Sequence, residues 1–142
     1  AAIMTYLGDK YPASNLVPMP NSKQRAKYDE WCFFVLTELE QPLWTTGKHT
    51  FVFPEEKRVP EILQIARWEF LKACKVLAQR LENKTFALGE SFSAIDILVA
   101  QTLLWAKAFD MPTGSKELDA YRDRISARPS LGRVVDRETA AN

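Results

Sequence analysis

Apolar residues recur at helical spacing through most of this chain. From about Ser22 onward, Tyr28, Cys32, Val35, Leu39 and Leu43 follow one another at intervals of four, three, four and four residues, one face of a 3.6-residue period. The spacing predicts a long helix with that stripe turned to the core, bent near its end where Pro42 removes a backbone donor. Residues 45–57 carry no such stripe and read as loop. A second long helix is expected to open near Pro60, which a first turn tolerates, to bury Leu63, Ala66, Phe70, Cys74, Leu77 and Leu81, and to end around Asn83.

The next helix carries the most informative local signal, Ser91-Phe92-Ser93-Ala94-Ile95-Asp96-Ile97. Ser93 and Asp96 are spaced as a capping box, and Phe92 with Ile97 as a hydrophobic staple, so a helix is expected to start at Ser93. Asp96 is shorter than the usual Glu or Gln but also favours the positive end of the helix dipole. The residues that follow, including Val99, Leu103, Leu104, Trp105 and Phe109, leave almost no polar face, which predicts a central helix. Two shorter helices complete the pattern, one from about Ser115 to Ala127 and one after Pro129-Ser130. At the other end, residues 1–7 read as a helix stopped at Gly8, and residues 9–20, with Pro12, Pro18 and Pro20, read as an extended connection. The fold class is therefore all-α, a bundle of about five helices around one buried central helix.

Composition narrows the function rather than the fold. A chain of 142 residues with 46% hydrophobic and 26% charged residues is of the size and make-up of one compact domain. Nineteen basic against eighteen acidic residues leave a net charge of +1, so no global field recruits nucleic acid or an anionic membrane. No apolar run comes near the roughly 18 residues that cross a bilayer, and the N-terminus has no secretory pattern. Cys32 and Cys74 both fall on apolar helix faces, where reduced thiols are expected, and a cytoplasmic location follows from that reading. His49, the single histidine, lies in a polar stretch, so no metal site or nucleophile–histidine pair can be assembled. P-loop, Rossmann and CxxC patterns are absent from the sequence. Arg122, Arg124, Arg128 and Arg133 alternate with Asp119, Asp123 and Asp136 and read as a solvated or ion-paired surface.

Three segments resemble those of the glutathione transferases. Ile3-Met4-Thr5-Tyr6-Leu7-Gly8-Asp9-Lys10-Tyr11-Pro12 is similar to the end of that family's thioredoxin-like N-terminal domain. Leu88 to Ile97 resembles its G-x-x-F-S-x-A-D-I segment, with Ile95 where many members have Ala, and Tyr121 to Pro129 resembles its Y-x-x-R-x-x-x-R-P segment. The resemblance implies three parts: residues 1–12 as the end of the last helix of a thioredoxin-like domain absent from this sequence, 13–21 as a linker, and 22–142 as the family's C-terminal helical domain. It also implies that the absent domain binds glutathione as co-substrate and activates its thiol. The present domain then supplies the wall for a small hydrophobic electrophile and packs in a homodimer, and is inactive alone.

Two sets of candidate residues follow. Phe33, Thr37, Glu40 and Trp44 form a second stripe on the first long helix, rotated about 100° from the core stripe. They either line the electrophile site or meet the absent domain or a subunit partner. Trp105 falls where the bacterial beta class has a Trp facing the electrophile pocket; the alternative for it is core packing. Trp31 and Trp68 read as packing residues. The segment Glu30-Trp31-Cys32-Phe33 through Thr37-Glu38-Leu39-Glu40 resembles the beta-class E-W-L-N and T-E-L-H, with two departures. Phe33 replaces an Asn that contacts glutathione and Glu40 a His near the sulfur, and a carboxylate there disfavours a neighbouring thiolate. Asp96 is read as a capping residue with Ser93, not as a catalytic carboxylate. The competing class is a non-catalytic interaction module, such as the similar domains attached to translation elongation factors and aminoacyl-tRNA synthetases; a glutathione-dependent lyase, dehalogenase or isomerase would use the same scaffold.

Overall fold

The computed structural model describes residues 1–140, apart from the Val135 side chain. In chain order the helices are α1 (Ala2–Lys10), α2 (Lys23–Phe34), α3 (Gln41–Gly47), α4 (Ile62–Leu81), α5 (Ala94–Ala108), α6 (Lys116–Ser126) and α7 (Pro129–Ala140). The described residues form no strand beyond a single bridge between Phe86 and Gly89. The architecture is all-α around a central α5, as the apolar pattern predicts.

The core is built by the predicted stripes. Tyr28, Val35, Leu39 and Leu43 from the first long helix meet Phe70, Cys74 and Leu77 of α4, and Ile95, Val99 and Leu103 of α5, all at 1% exposure or less. Leu118, Tyr121 and Ile125 of α6 close the other side of α5. The start of α5 is a capping box: the Ser93 amide donates to Asp96 Oδ2 at 2.7 Å and the Ser93 hydroxyl to the same oxygen at 2.9 Å. The fully buried carboxylate also accepts from the Ala87 amide (2.8 Å) and the Tyr121 hydroxyl (2.5 Å) on Oδ1. One side chain thus holds the preceding loop, its own helix and α6.

Several local expectations need correction. Residues 45–57 are mostly helical: α3 runs to Gly47, a π-turn covers Lys48–Val52 and a 3₁₀ turn Glu55–Lys57. Pro42 sits in the first turn of α3, where its missing donor costs nothing, so it starts a segment rather than ending one. The first π-turn in chain order, Val35–Leu39, joins α2 to α3, with the Glu40 amide donating to the Val35 carbonyl at 2.8 Å, and Lys48–Val52 is the second. Gly8 does not stop α1, which continues to Lys10. It is the point of closest approach to the connection, where an added Cβ would lie 2.3 Å from Val17 Cγ2.

Of the arginines read as a solvated or ion-paired surface, three hold neighbouring elements. Arg122 is buried and pairs with Asp119 (2.8 Å) and Asp123 (2.9 Å); Arg124 donates to the Thr85 carbonyl; Arg128 stacks on Phe92 at 3.8 Å. Trp31 is buried as expected, but Trp68 is 62% exposed on the outer face of α4, with Lys72 over its ring. The helical period places a residue on a face without saying whether that face is covered.

Candidate functional site

The connection between α1 and the bundle is fixed by three contacts. Arg25 clamps Asp9 through both guanidinium nitrogens (2.8 and 2.9 Å) and donates to the Pro18 carbonyl; Tyr28 and Thr5 share a hydrogen bond of 2.9 Å; Leu16 accepts from the first amide of α5, that of Ala94, at 2.8 Å. The guanidinium holds the Asp9 carboxyl below its usual range. Burial pushes the Tyr28 phenol up to about 12. Ile3, Tyr6 and Leu7 remain exposed on α1 at spacings of three and one, a narrow apolar strip on its free side.

The second stripe faces outward: Phe33, Thr37 and Trp44 are exposed and Glu40 is half-buried. It crosses the π-turn at Val35–Leu39, as the core stripe does, whose Val35, Leu39 and Leu43 stay fully buried. Phe33 and Thr37 lie one turn apart, with the Thr37 hydroxyl donating to the Phe33 carbonyl at 3.0 Å, on an open surface where Phe33 is 68% exposed. Glu40 and Trp44 pair on the far side of the turn, the Trp44 amide donating to the Glu40 carbonyl at 3.1 Å. The Glu40 carboxylate is half-buried and has no hydrogen-bond or ion partner among the described residues.

Trp44 and Trp105, singled out on two different helices, are in contact: their rings are perpendicular with centroids 5.3 Å apart. Two further rings extend the pair. Phe109 lies one turn along α5 from Trp105, 5.6 Å away at 73°, and Phe51, on the second π-turn, meets Phe109 at 5.9 Å and 86°. Edge-to-face packing of this kind is the preferred geometry of aromatic pairs. Trp105 and Phe109 are half-buried and form the floor, while Trp44 (45% exposed) and Phe51 (60%) stand at the two ends. Gly47 is buried between them on the same helical column; an added Cβ would touch the Phe109 and Phe51 rings at 3.5 Å. The arrangement is an open aromatic wall. Sequence reasoning missed Phe51 because residues 45–57 read as loop; the spacing Trp44, Gly47, Phe51 was the available signal.

Other candidates have structural partners. Asp96 is consumed by its four donors. His49 lies on the second π-turn, where its Nδ1 accepts from the Val59 amide at 3.1 Å, anchoring the connection to α4. Both cysteines are free and buried, and burial raises both thiols, Cys74 to about 12. Among the described residues no group of three His, Cys, Asp or Glu side chains is placed to hold a metal ion, and no helix is long and apolar enough to cross a membrane. The four rings form a partly exposed aromatic surface and themselves bring no nucleophile or base.

Residues 41–129 match the family described as the C-terminal domain of glutathione S-transferase. Among curated proteins, the chain is similar to the glutathione S-transferase GstA of Escherichia coli O157:H7, 28% identical over 141 residues. That alignment covers 96% of this chain and 65% of the relative, so the chain spans just under two thirds of the relative's length. It is also 34% identical over 87 residues to a valine–tRNA ligase of Takifugu rubripes, covering 59% of this chain and 7% of the ligase. Among solved structures, the ternary complex of BphK, a bacterial glutathione transferase, superposes with a TM-score of 0.85 at 22% identity, over 97% of this chain and 66% of that one.

Proposed function

This chain belongs to the glutathione S-transferase C-terminal domain family, and from that premise we propose that it is the electrophile-binding domain of a transferase that conjugates glutathione to small hydrophobic electrophiles. The observation that carries the reading is the Trp44–Trp105 contact, which joins two residues from separate helices into one partly exposed aromatic surface. Apolar pockets with few polar groups are the usual form of such sites. A wall with no nucleophile needs a partner that has one. In this reading a thioredoxin-like domain of the full-length protein holds glutathione, forms the opposite wall and lowers the barrier by activating the thiol beside a positioned electrophile. The exposed Ile3–Tyr6–Leu7 strip supports docking of such a domain on α1. A homodimer in the cytoplasm, without nucleic acid or membrane as partner, completes the reading.

Glu40 and Phe33 bear on which chemistry is used. A partnerless carboxylate at residue 40 repels a thiolate, so thiol activation falls entirely to the other domain and this one contributes Trp44, Trp105 and the open Phe33–Thr37 surface. The test is steady-state kinetics of the full-length protein with glutathione and an aromatic electrophile. Trp105→Ala is expected to raise the KM for the electrophile about tenfold, roughly 1.4 kcal/mol of lost ring contact, with the KM for glutathione little changed. Equal rises in both would remove Trp105 from the electrophile site.

A second reading has its own support. The match to a valine–tRNA ligase over 87 residues favours a non-catalytic module that docks on protein partners. A full-length protein that neither binds glutathione nor conjugates it, but is retained by a synthetase or elongation-factor assembly, would establish that alternative.

A further inference from the structure

A cavity of about 220 Å³ opens between α5, α6 and α7, and none of the four rings of the aromatic wall lines it. Leu104, Ile125, Leu131 and Phe92 give it a mostly apolar surface. An apolar cavity of about 150 Å³ is enough to take up benzene, so this one has room for a single ring or a short alkyl chain. Two polar groups stand in that setting without the partners they could use. Ser126 lines the cavity, and its hydroxyl is buried with no hydrogen-bond partner among the described residues. Arg128 is exposed at the mouth, its guanidinium stacked on the Phe92 ring at 3.8 Å. Arg25, Arg80 and Arg122 each pair with a carboxylate, whereas Arg128 pairs with none among the described residues. Stacking engages the face of a guanidinium and leaves the N–H groups on its edge to receive an anion.

We propose that this cavity binds a small monocarboxylate, with its ring or chain between α5, α6 and α7 and its carboxylate on Arg128. The apolar walls supply the contact that holds the body of the ligand. The planar fork of Arg128 matches the two oxygens of a carboxylate, and the same head brings acceptor atoms to a chamber in which the Ser126 hydroxyl has none. Arg128 is the one charged residue lining the cavity, so a cation is repelled and a second anionic group on the ligand finds no partner. The proposal stands apart from the electrophile-binding reading, because it uses none of the residues of that site.

The experiment is calorimetric titration of the full-length protein at pH 7 with octanoate and with octanamide, which has the same chain and no charge. Octanoate is expected to bind once per chain and octanamide about fivefold more weakly, the factor for a charged hydrogen bond discounted for its exposed position. Arg128→Gln should bring octanoate down to the octanamide value and leave octanamide unchanged. Leu104→Trp, which fills the cavity, should abolish binding of both, with circular dichroism unchanged; if that variant fails to fold, Ile97→Trp on the same lining takes its place. Trp44→Ala, at the aromatic wall, should leave both affinities as they are. The proposal is overturned if the wild type takes up no octanoate, if octanamide binds as tightly or Arg128→Gln changes nothing, or if binding is lost with Trp44→Ala rather than with the cavity-filling variant.

Discussion

Tyr121 donates its hydroxyl proton to Asp96 Oδ1 at 2.5 Å, joining the middle of α6 to the first turn of α5 inside the core. Asp96 is fully buried and answers three further donors, the amides of Ala87 and Ser93 and the Ser93 hydroxyl. Removing the carboxylate orphans all of them. Asp96→Ala is expected to destabilise the chain by about 3–5 kcal/mol, as for breaking a buried charged network. Tyr121→Phe removes one bond to a charged acceptor and should cost about 1.5–3 kcal/mol. Urea unfolding of the two variants checks the order: a Tyr121→Phe loss as large as that of Asp96→Ala would mean that α6 docking, not the capping network, dominates.

Gly8 and Val17 offer a second test. A Cβ at residue 8 would sit 2.3 Å from Val17 Cγ2 and 2.6 Å from Val17 Cβ, inside any tolerable contact, and Val17 is itself buried. Gly8→Ala should therefore push α1 off the connection and cost about 1–3 kcal/mol, the range for overpacking. Adding Val17→Ala removes the obstructing atoms and should recover part of that loss. A double variant no better than the single one in thermal unfolding would rule out the steric account.

How far the sequence reached depended on whether the signal was local. The capping box lies within four consecutive residues and was readable in full. The carboxylate's further partners, Ala87 and Tyr121, are nine and twenty-five residues away, and no spacing rule connects them. The core stripes were legible because burial imposes the helical period, even across the π-turn at Val35–Leu39, which nothing in the composition announces. The Trp44–Trp105 contact was half legible: each Trp was singled out, but only the crossing of two helices brings the rings to 5.3 Å. Gly8 shows the opposite failure. Its chemistry suggested a helix stop, while its function is to admit Val17.

The thiols should be nearly inert while the chain is folded. Cys32 and Cys74 are buried, and desolvation is the largest cause raising each thiol, Cys74 to about 12. At pH 8 roughly one Cys74 in ten thousand is a thiolate, the form that attacks disulfides. Ellman's reagent at pH 8 is expected to titrate almost no thiol in native protein within minutes and two equivalents in urea. A fast-reacting native equivalent would mean that one of the two helices opens readily.

Alkaline pH should weaken the fold through its buried phenols. Burial is the first cause that raises Tyr28, to about 12, and Tyr121 is raised further by burial and by the charge of Asp96. Both bind their protons more tightly in the folded chain than in the unfolded one, where a tyrosine titrates near 10. Their stabilisation is therefore complete below about pH 10 and is lost as pH rises through the folded value, for Tyr28 between about 10 and 12. Unfolding free energies measured at pH 8, 10 and 11 should fall across the first interval, where the raised Cys32 and Cys74 thiols contribute, and more steeply per pH unit across the second, where the phenols add to them. In Tyr28→Phe the fall should be shallower, because one of the two protons is gone, although the variant also loses its bond to Thr5 and starts from lower stability at pH 8. A slope unchanged by Tyr28→Phe would assign the alkaline loss to other groups and leave the Tyr28–Thr5 contact with a packing role alone.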